Sequence, residues 1–282
     1  MPTKNEDWVL PTTIKAGKLI ADHILVSDQN SDDKTIKLLE KEDKVTILQN
    51  TNIDHSNVVR WQLLDEARKI FGKNNIIINL DADEILPPQM YLKEKKNIVN
   101  NRAGTVFSSP WVQLWRSVNQ YRDDDSVWNP KKNNKLFMFI DNGKMDYERT
   151  YTINDHTSRV PTLKTKKNIP LAIPLLHLQF VNWERSQMKQ IWYQCKEVLN
   201  GGDSQEINNK YRNSQNEDNI QFSPVKSTWI EDIIFPSQLD QVDISKLWYF
   251  KEVIEMFEDH GIEVFKELNI WHNSYLKNFI NN

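Results

Sequence analysis

Three carboxylates follow directly after a run of branched apolar residues in the segment NNIIINLDADEILPP, residues 74–88. The apolar run predicts a buried strand, and Asp81, Asp83 and Glu84 come where that strand should end. Carboxylates that lie close together repel one another, so a cation stabilises such a cluster. A hard divalent ion such as Mg²⁺ or Mn²⁺ meets this need and also binds phosphate oxygens. The spacing therefore predicts a metal-dependent phosphate site, and a solvated turn of helix-capping acids is the alternative.

A second acidic group follows the apolar stretch HILVS, which predicts another short strand. It contains Asp28, Asp32 and Asp33. Ligands of an open parallel sheet bind at the carboxyl ends of its strands. Both acidic groups are therefore expected at the same edge of one sheet.

The elements that must position these groups alternate between strand and helix in the first half of the chain. Strands are predicted at residues 23–27, 44–49 and 76–80, and helices at 8–18, from Ser31 or Asp32, and from Ser56 to Gly72. Strands separated by helices favour right-handed crossovers and a mostly parallel sheet with helices on both faces.

The pattern is looser in the second half of the chain. It predicts strands at 105–114, 135–140 and 171–180, a helix at 184–199, a loop at 203–227, and helices at 244–258 and 261–269. No clear linker interrupts the sequence. We therefore expect one domain with a C-terminal extension.

The composition excludes several classes of protein. The 282 residues are 39% hydrophobic and 27% charged, which is typical of a globular chain, and the net charge of −3 gives no general attraction to nucleic acid. A single cysteine, Cys195, excludes an internal disulfide. No run of residues is apolar enough for a transmembrane segment, and the N-terminus lacks the pattern of a secretory signal. A cytoplasmic protein is the expectation.

Four motifs together resemble the nucleotide-sugar half of the family 2 glycosyltransferases, which have the GT-A fold. They are PTKNE (2–6), VSDQNSDDKT (26–35), Arg60 ahead of LLDEAR, and LDADE (80–84). The resemblance implies an α/β, single Rossmann-type nucleotide-binding domain with a mostly parallel central sheet and a C-terminal helical extension. Residues 1–110 would form its nucleotide-sugar half, 111–200 its acceptor half, and 201–282 the loop and the extension.

The resemblance also implies roles for individual residues of the first half. Those expected to hold the base and the ribose are Pro2, Thr3, Glu6 and Asp28. Arg60 takes the position of a basic residue near the nucleotide. Asp81 and Asp83 match the motif that binds the metal ion and the diphosphate. Ser31, Asp33 and Thr35 lie in the turn VSDQNSDDKT (26–35) and are interpreted as structural caps.

Candidates for the catalytic base lie in NDHTSRVP, residues 154–161, which resembles a His-Glu segment of related transferases but has Thr157 where Glu is common. An inverting enzyme needs a carboxylate or imidazole beside the acceptor hydroxyl. Asp155 and His156 are therefore the predicted bases, with Asp146 and Glu148 in reserve. A surface or packing role is the alternative for each.

Other candidates lie further along the second half. His177 ends an apolar run and is expected either to complete the metal site with Asp83 or to be a satisfied core histidine. Arg185 and Lys189 are expected on the diphosphate side, unless they form a solvated helix face. Most tryptophans follow residue 110 and suit a carbohydrate acceptor, although most of them belong to the core. Trp115 with Arg116 is the predicted acceptor contact.

These residues predict a metal-dependent glycosyltransferase that moves a sugar from a UDP- or GDP-sugar to a carbohydrate-type hydroxyl, with Mn²⁺ or Mg²⁺ as cofactor. Inversion at the anomeric carbon is implied by the resemblance. One alternative is a degenerate relative that binds a sugar nucleotide or glycan without turnover. Another is a phosphatase of the haloacid dehalogenase type, because DADEI approaches D-x-D-x-[TV]. The motifs of dinucleotide-binding, P-loop and H-E-x-x-H zinc enzymes are absent from the sequence.

Overall fold

The computed structural model of the chain describes residues 1–50, 58–149, 158–162, 167–215, 220–236, 239 and 241–280. The strands are β1 (Pro2–Thr3), β2 (Ile24–Asp28), β3 (Val45–Gln49), β4 (Ile76–Ile78), β5 (Glu84–Ile85), β6 (Thr105–Trp115), β7 (Gln120–Arg122), β8 (Asn134–Ile140), β9 (Lys167–Pro170), β10 (Leu175–Phe180) and β11 (Phe222–Pro224). The helices are α1 (Leu10–Ile20), α2 (Thr35–Leu39), α3 (Val58–Phe71), α4 (Pro88–Val99), α5 (Trp183–Leu199), α6 (Ser204–Gln215), α7 (Ser227–Ile230), α8 (Trp248–His260) and α9 (Lys277–Ile280). Short 3₁₀ helices span Ile244–Lys246 and Ile262–Phe265.

The described strands form two sheets, and the prediction of one mostly parallel Rossmann-type central sheet is wrong. β1, β2 and β3 make a small parallel sheet, and the remaining eight strands make a mixed one around β6. Among the described strands, five pairings of the larger sheet are antiparallel and two are parallel. The physical reason is that β6, β7 and β8 follow one another without an intervening helix, so neighbouring strands pair in opposite directions.

The helices and strands predicted for the first half occur close to their expected positions. Helix α1 has Pro11 in its first turn, where the missing N–H is not needed by the helix. Helix α3 ends at Phe71, and Gly72, whose φ is 73°, allows the chain to leave the helix. Helix α2 differs from expectation because it begins at Thr35 and has no side-chain cap from Ser31 or Asp32.

Two predictions for the C-terminal part are wrong. Residues 203–227 are not one loop, because they contain helix α6, strand β11 and the start of α7. Only Ile262–Phe265 of the helix predicted at 261–269 is helical, and it is a 3₁₀ turn. The polar composition of α6 hid its helical spacing, since only one face of this helix touches the protein.

The apolar core is divided between the sheets and the C-terminal helices. Helices α1 and α4 pack on each other beside the larger sheet, whereas α5 contacts both α6 and α8 and forms a cluster with them. The fully buried Phe107, Phe137 and Leu175 hold the centre of the larger sheet. None of the described helices is long and apolar enough to span a membrane. Helix α5 also packs on β10, which joins the helical cluster to the larger sheet.

Candidate functional site

A cleft of about 490 Å³ opens where β1, the turn between β4 and β5, strand β10 and helices α5 and α8 come together. Its ionisable lining is mixed and, with histidine neutral, carries more positive than negative charge. The basic residues are Lys4, Arg60, Lys135, Arg159 and Lys189, and the carboxylates are Glu6, Asp81 and Asp83. Aromatic walls are formed by Trp111, Tyr193, Trp248 and Tyr249. An anionic ligand with an apolar face fits such a surface.

Strand register brings three polar residues side by side beneath this cleft. His177 of β10 is paired with Gln113 of β6 on one side and with Glu84 of β5 on the other. All three are buried. Side chains in the same register of neighbouring strands point to the same face of the sheet. His177 therefore projects to the face that carries Gln113 and Glu84, and Asp83 lies one residue before β5.

The structure brings Asp83 and His177 into direct contact. Nε2 of His177 lies 3.3 Å from Oδ2 of Asp83, and Nδ1 lies 2.6 Å from Oε1 of Gln113. Because Gln113 presents an oxygen to Nδ1, this nitrogen donates its hydrogen. A neutral imidazole then has its Nε2 lone pair directed at a carboxylate oxygen. Two acceptors that face each other need a cation between them, either a proton or a metal ion.

In the DADE turn, both carboxylate oxygens of Asp81 already accept hydrogen bonds from arginines. Oδ1 of Asp81 accepts a hydrogen bond from Arg60 and Oδ2 accepts one from Arg159, both at 2.6 Å. Although burial opposes ionisation, the charges of Arg159 and Arg60 hold the pKa of Asp81 far below its usual range. The two oxygens of Asp81 are therefore committed to arginines. To bind a metal ion, or to attack the phosphorus atom of a phosphate, Asp81 would have to lose its hydrogen bond to Arg60 or to Arg159.

Glu84 is completely buried and supports the turn from below. Its carboxylate accepts hydrogen bonds from the Asp81 backbone N–H at 3.0 Å, from Trp111 Nε1 at 2.8 Å and from Arg159 at 2.7 Å. Burial raises the pKa of Glu84, and the Arg159 charge opposes that rise. Arg159 is thus the cation that neutralises the acidic turn, since it bridges Glu84 and Asp81.

Helix α5 supplies the basic residues predicted on the diphosphate side. Its first turn is capped by the side chain of Asn182, and helical spacing puts Arg185 and Lys189 on one face. Lys189 reaches the cleft, with Nζ 3.9 Å from Oδ2 of Asp83. Arg185 is buried behind it and pairs with Glu6 at 3.2 Å. Lys189 is therefore the member of the pair that lines the cleft, and Arg185 holds Glu6 in place.

The residues predicted to hold the base and ribose lie at the ends of β1 and β2. Pro2, Thr3 and Glu6 line the cleft. Asp28 is buried beside Thr3, and its Oδ1 and the Thr3 Oγ1 have no hydrogen-bond partner among the described residues. The same is true of the buried Nη1 of Arg60. Buried polar atoms without partners are rare, and a ligand would satisfy them.

The loop of PTKNE is held by the residues interpreted as structural caps. The backbone N–H groups of Asn5, Glu6 and Asp7 donate hydrogen bonds to the side chains of the opposite turn. The acceptors are Ser31, Thr35 and Asp33, at 2.9, 2.9 and 3.1 Å respectively. These side chains therefore cap the neighbouring loop and fix the floor of the cleft.

Other predicted site residues are not brought to the cleft. Trp115 is 0% exposed and stacks on Phe180, and Arg116 lies over the ring of Trp183. Trp111 lines the cleft, with its ring stacked on His177 at 4.8 Å. The catalytic candidates Asp155 and His156 lie outside the described residues.

The reserve bases Asp146 and Glu148 are also absent from the cleft lining. Asp146 pairs with Arg149 at 2.9 Å on the surface.

Sequence reasoning missed several residues of the site, among them Gln113 and Arg159. Gln113 is a fully buried amide between apolar residues of β6, and a polar residue at a core position was the available signal. Arg159 follows the base candidates in a segment without regular spacing. The only indication of such a residue was that three neighbouring carboxylates need positive charge. The sequence does not show which residue supplies that charge.

Asp83 and His177 fit a divalent metal ion, whereas Asp81 does not fit in this arrangement. Gln113 accepts a hydrogen bond from Nδ1 of His177 and thereby orients the imidazole, as the hydrogen-bond partners of metal-binding histidines do. The described residues contain no group of three or more acidic, histidine or cysteine side chains arranged for a metal, so phosphate oxygens and water would complete the coordination. Models of known protein families give no match to the chain, and curated proteins give none either.

Proposed function

We propose that the chain is a metal-dependent glycosyltransferase that uses a nucleotide-sugar donor, as its resemblance to the family 2 enzymes implies. The observation that carries this proposal is the pair Asp83 and His177, whose acceptor atoms face each other at 3.3 Å in a basic cleft. A divalent ion held by this pair supplies Lewis-acid neutralisation of a diphosphate leaving group. A carboxylate–imidazole pair, basic neighbours and aromatic walls are the combination that this chemistry requires.

The cleft residues would divide the donor between them. Lys189 and Arg159 lie close to the acidic turn and would contact the diphosphate, while Thr3 of the lining and Asp28, buried beside it, have polar atoms available for the nucleoside. Burial opposes protonation of Lys189, but Tyr193, Asp83 and Glu6 raise its pKa above the ordinary value, so it is a fixed cation at neutral pH. Asp155 and His156 remain the predicted bases for the acceptor hydroxyl.

The haloacid dehalogenase alternative receives less support from the same geometry. Its nucleophile would be Asp81, and both oxygens of Asp81 accept hydrogen bonds from arginines. Binding without turnover remains the stronger alternative, because binding uses the same cleft. A test must therefore measure binding and turnover separately.

Thermal unfolding with nucleoside diphosphates provides the binding measurement. We expect UDP or GDP with Mn²⁺ to raise the Tm by about 5 °C at 100 times the Kd, from the linkage of binding to stability. The monophosphate of the same nucleoside (UMP or GMP) is the matched control. It should raise the Tm much less, because it lacks the second phosphate. No shift with any nucleoside diphosphate, with or without Mn²⁺, would refute the proposal.

Donor hydrolysis or transfer with Mn²⁺ is the turnover measurement. Binding without any product over long incubation would favour the degenerate alternative. Hydrolysis of a generic aryl phosphate would favour the phosphatase.

Gln113 offers a test of the metal ligands that does not touch them. Replacing Gln113 by leucine removes the acceptor for His177 Nδ1–H, so we expect the apparent Mn²⁺ affinity to fall about 10–100-fold. Titration of Mn²⁺ against donor hydrolysis or nucleotide binding measures this. Gln194→Leu, another buried glutamine outside the cleft, is the control and should leave the Mn²⁺ affinity unchanged. Equal affinities in the two variants would contradict the assigned tautomer.

A further inference from the structure

One wall of the cleft is built by strand β6 and the start of strand β8. The two strands are antiparallel, with Ser109 opposite Lys135, and the Trp111 N–H donates to the Asn133 carbonyl at 2.8 Å. Alternate residues of a strand share one face of the sheet, so Trp111 projects to the same side as Ser109 and Lys135. Nζ of Lys135 lies over the Trp111 ring, 4.3 Å from its centroid, and both residues line the cleft.

Lys135 differs from the other cations of the cleft because it lacks a carboxylate partner. The other four basic side chains of the lining each lie 3.9 Å or less from a carboxylate oxygen, and they are Lys4, Arg60, Arg159 and Lys189. Among the described residues, Lys135 forms no ion pair and donates no hydrogen bond. Burial and the charge of Arg159 lower the pKa of Lys135. An anion beside Nζ would oppose both effects.

The charge balance of the cleft also favours an anionic ligand beyond the diphosphate. The described lining carries five basic side chains and three carboxylates, so it has an excess of positive charge when histidine is neutral. In a complex with the proposed donor, the two positive charges of Mn²⁺ would cancel the two negative charges of a nucleotide-sugar diphosphate. The positive excess would therefore remain after the donor and the metal ion have bound, and a neutral sugar would leave it without a counter-ion.

The Trp111 ring connects Lys135 to the proposed metal site. The His177 imidazole stacks on this ring with 4.8 Å between the centroids, and the Trp111 Nε1–H donates to Glu84 at 2.8 Å. The two distances from the Trp111 centroid put Nζ of Lys135 within about 9 Å of the imidazole centre. One sugar residue spans such a gap. A sugar that reacts beside the metal ion can therefore place a second group at Lys135.

We propose that Lys135, on the wall formed with Trp111, is the binding site for an anionic group, a carboxylate or a phosphate, of a sugar substrate. This inference rests on the proposed glycosyltransferase function and deepens it, because it names the class of sugar. The Lys135 ammonium group would donate a charge-assisted hydrogen bond to the anion. The anionic sugar is either the one that is transferred or the acceptor, and the two cases differ in the ligand that carries the preference.

Binding of matched neutral and anionic sugars tests the inference. In the acceptor arm, glucose, galactose and mannose are each compared with their 6-phosphates and uronic acids, by ligand-observed NMR titration of the chain with Mg²⁺ and UDP or GDP. In the donor arm, UDP-glucose is compared with UDP-glucuronic acid, and GDP-mannose with GDP-mannuronic acid. We expect at least one anionic form to bind about tenfold or more tightly than its neutral parent, which is the effect of one charge-assisted hydrogen bond.

Two lysine variants identify the residue responsible. Lys135→Gln should abolish the preference for the anionic form and change the affinity for the neutral parent less than twofold or so. Lys131→Gln removes the same charge from a side chain that is 82% exposed and outside the cleft lining, so it should keep the preference. In the wild-type chain the preference should also weaken as the salt concentration rises.

The absence of a preference in both arms would overturn the inference, even if nucleoside diphosphates bind and the proposed function stands. A preference that persists in Lys135→Gln would place the anion elsewhere and would overturn it too. A loss of nucleoside diphosphate affinity in Lys135→Gln as large as the loss for the anionic sugar would assign Lys135 to the diphosphate, which contradicts the inference. If no nucleoside diphosphate binds at all, the proposed function fails, and the same free-sugar titration without nucleotide then decides whether Lys135 binds anionic sugars.

Discussion

Replacing Asp83 by asparagine is expected to lower the kcat/KM of metal-dependent sugar transfer by about 10³-fold or more, which corresponds to about 4 kcal/mol of lost transition-state stabilisation. Asparagine preserves the shape of the side chain but removes the charge that faces His177 at 3.3 Å. Burial opposes ionisation of Asp83, yet its interactions with His177 and Lys189 hold its pKa below the usual range, so the group is an anion at neutral pH. The substitution therefore deletes a charge and leaves the packing intact.

The comparison needs a carboxylate that is remote from the cleft. Asp43 is exposed and pairs with Lys18, so Asp43→Asn should leave kcat/KM unchanged. Mn²⁺-dependent binding of a nucleoside diphosphate is measured in parallel and should be lost in Asp83→Asn alone. If Asp83→Asn and the wild type show the same metal-dependent turnover, Asp83 is not a metal ligand. If turnover is absent from both but nucleotide binding still needs Asp83, the chain is a binding protein.

The sequence predicted most individual elements but not the sheets that they build. Apolar periodicity locates α3 and β2 because it depends on local spacing. The direction in which strands pair depends on contacts between distant residues, and β6 has neighbours from four separate strands. The strand–helix alternation of the first half predicts parallel pairing, but it carries no information on how the strands of the second half pair. In the second half, β7 and β8 pair with β6 in the antiparallel direction, so the predicted mostly parallel sheet does not form.

The candidate site shows the same difference between what local spacing predicts and what depends on contacts between distant residues. Asp83 follows an apolar strand, whereas His177 lies within β10 between Gln113 and Glu84, so their contact depends on strand pairing that local spacing does not show. Trp115 was assigned to the acceptor because of its residue type, but at the end of β6 it is buried against Phe180 and Trp183, while Trp111, four residues earlier on the same strand, lines the cleft. Arg159 comes from a segment without periodicity. Its position follows from the buried charge that it balances.

The three carboxylates of the DADE turn consequently have different electrostatic partners. Asp81 is balanced by Arg60 and Arg159, Asp83 faces His177 and Lys189, and Glu84 depends on Arg159. A cation from solution is needed at most by Asp83. The clustering of acids at the end of β4 is therefore stabilised mainly by the protein itself, which makes the Arg159 guanidinium a structural requirement.

Arg159→Met is expected to destabilise the protein by about 3 kcal/mol at pH 8, because removing one partner of a buried ion pair leaves the other charge without compensation. The Arg159 side chain is 12% exposed and Glu84 is 0% exposed, so water cannot replace the lost contact. Methionine retains the aliphatic stem. Urea unfolding measures the change in the free energy of unfolding, and Glu84→Gln in the same chain should restore much of it, since it removes the uncompensated charge.

The pH dependence of this loss has a definite sign. Burial raises the pKa of Glu84 above its value in the unfolded chain, and loss of the Arg159 charge raises it further. The folded variant then keeps a proton that the unfolded chain releases, so its stability falls as pH rises through the raised pKa. The deficit should be smaller at pH 5 than at pH 8. Arg149→Met, at a 45% exposed arginine that pairs with Asp65, should cost at most about 1 kcal/mol. An equal loss in both variants, or a loss independent of pH, would show that Arg159 acts through packing instead of charge.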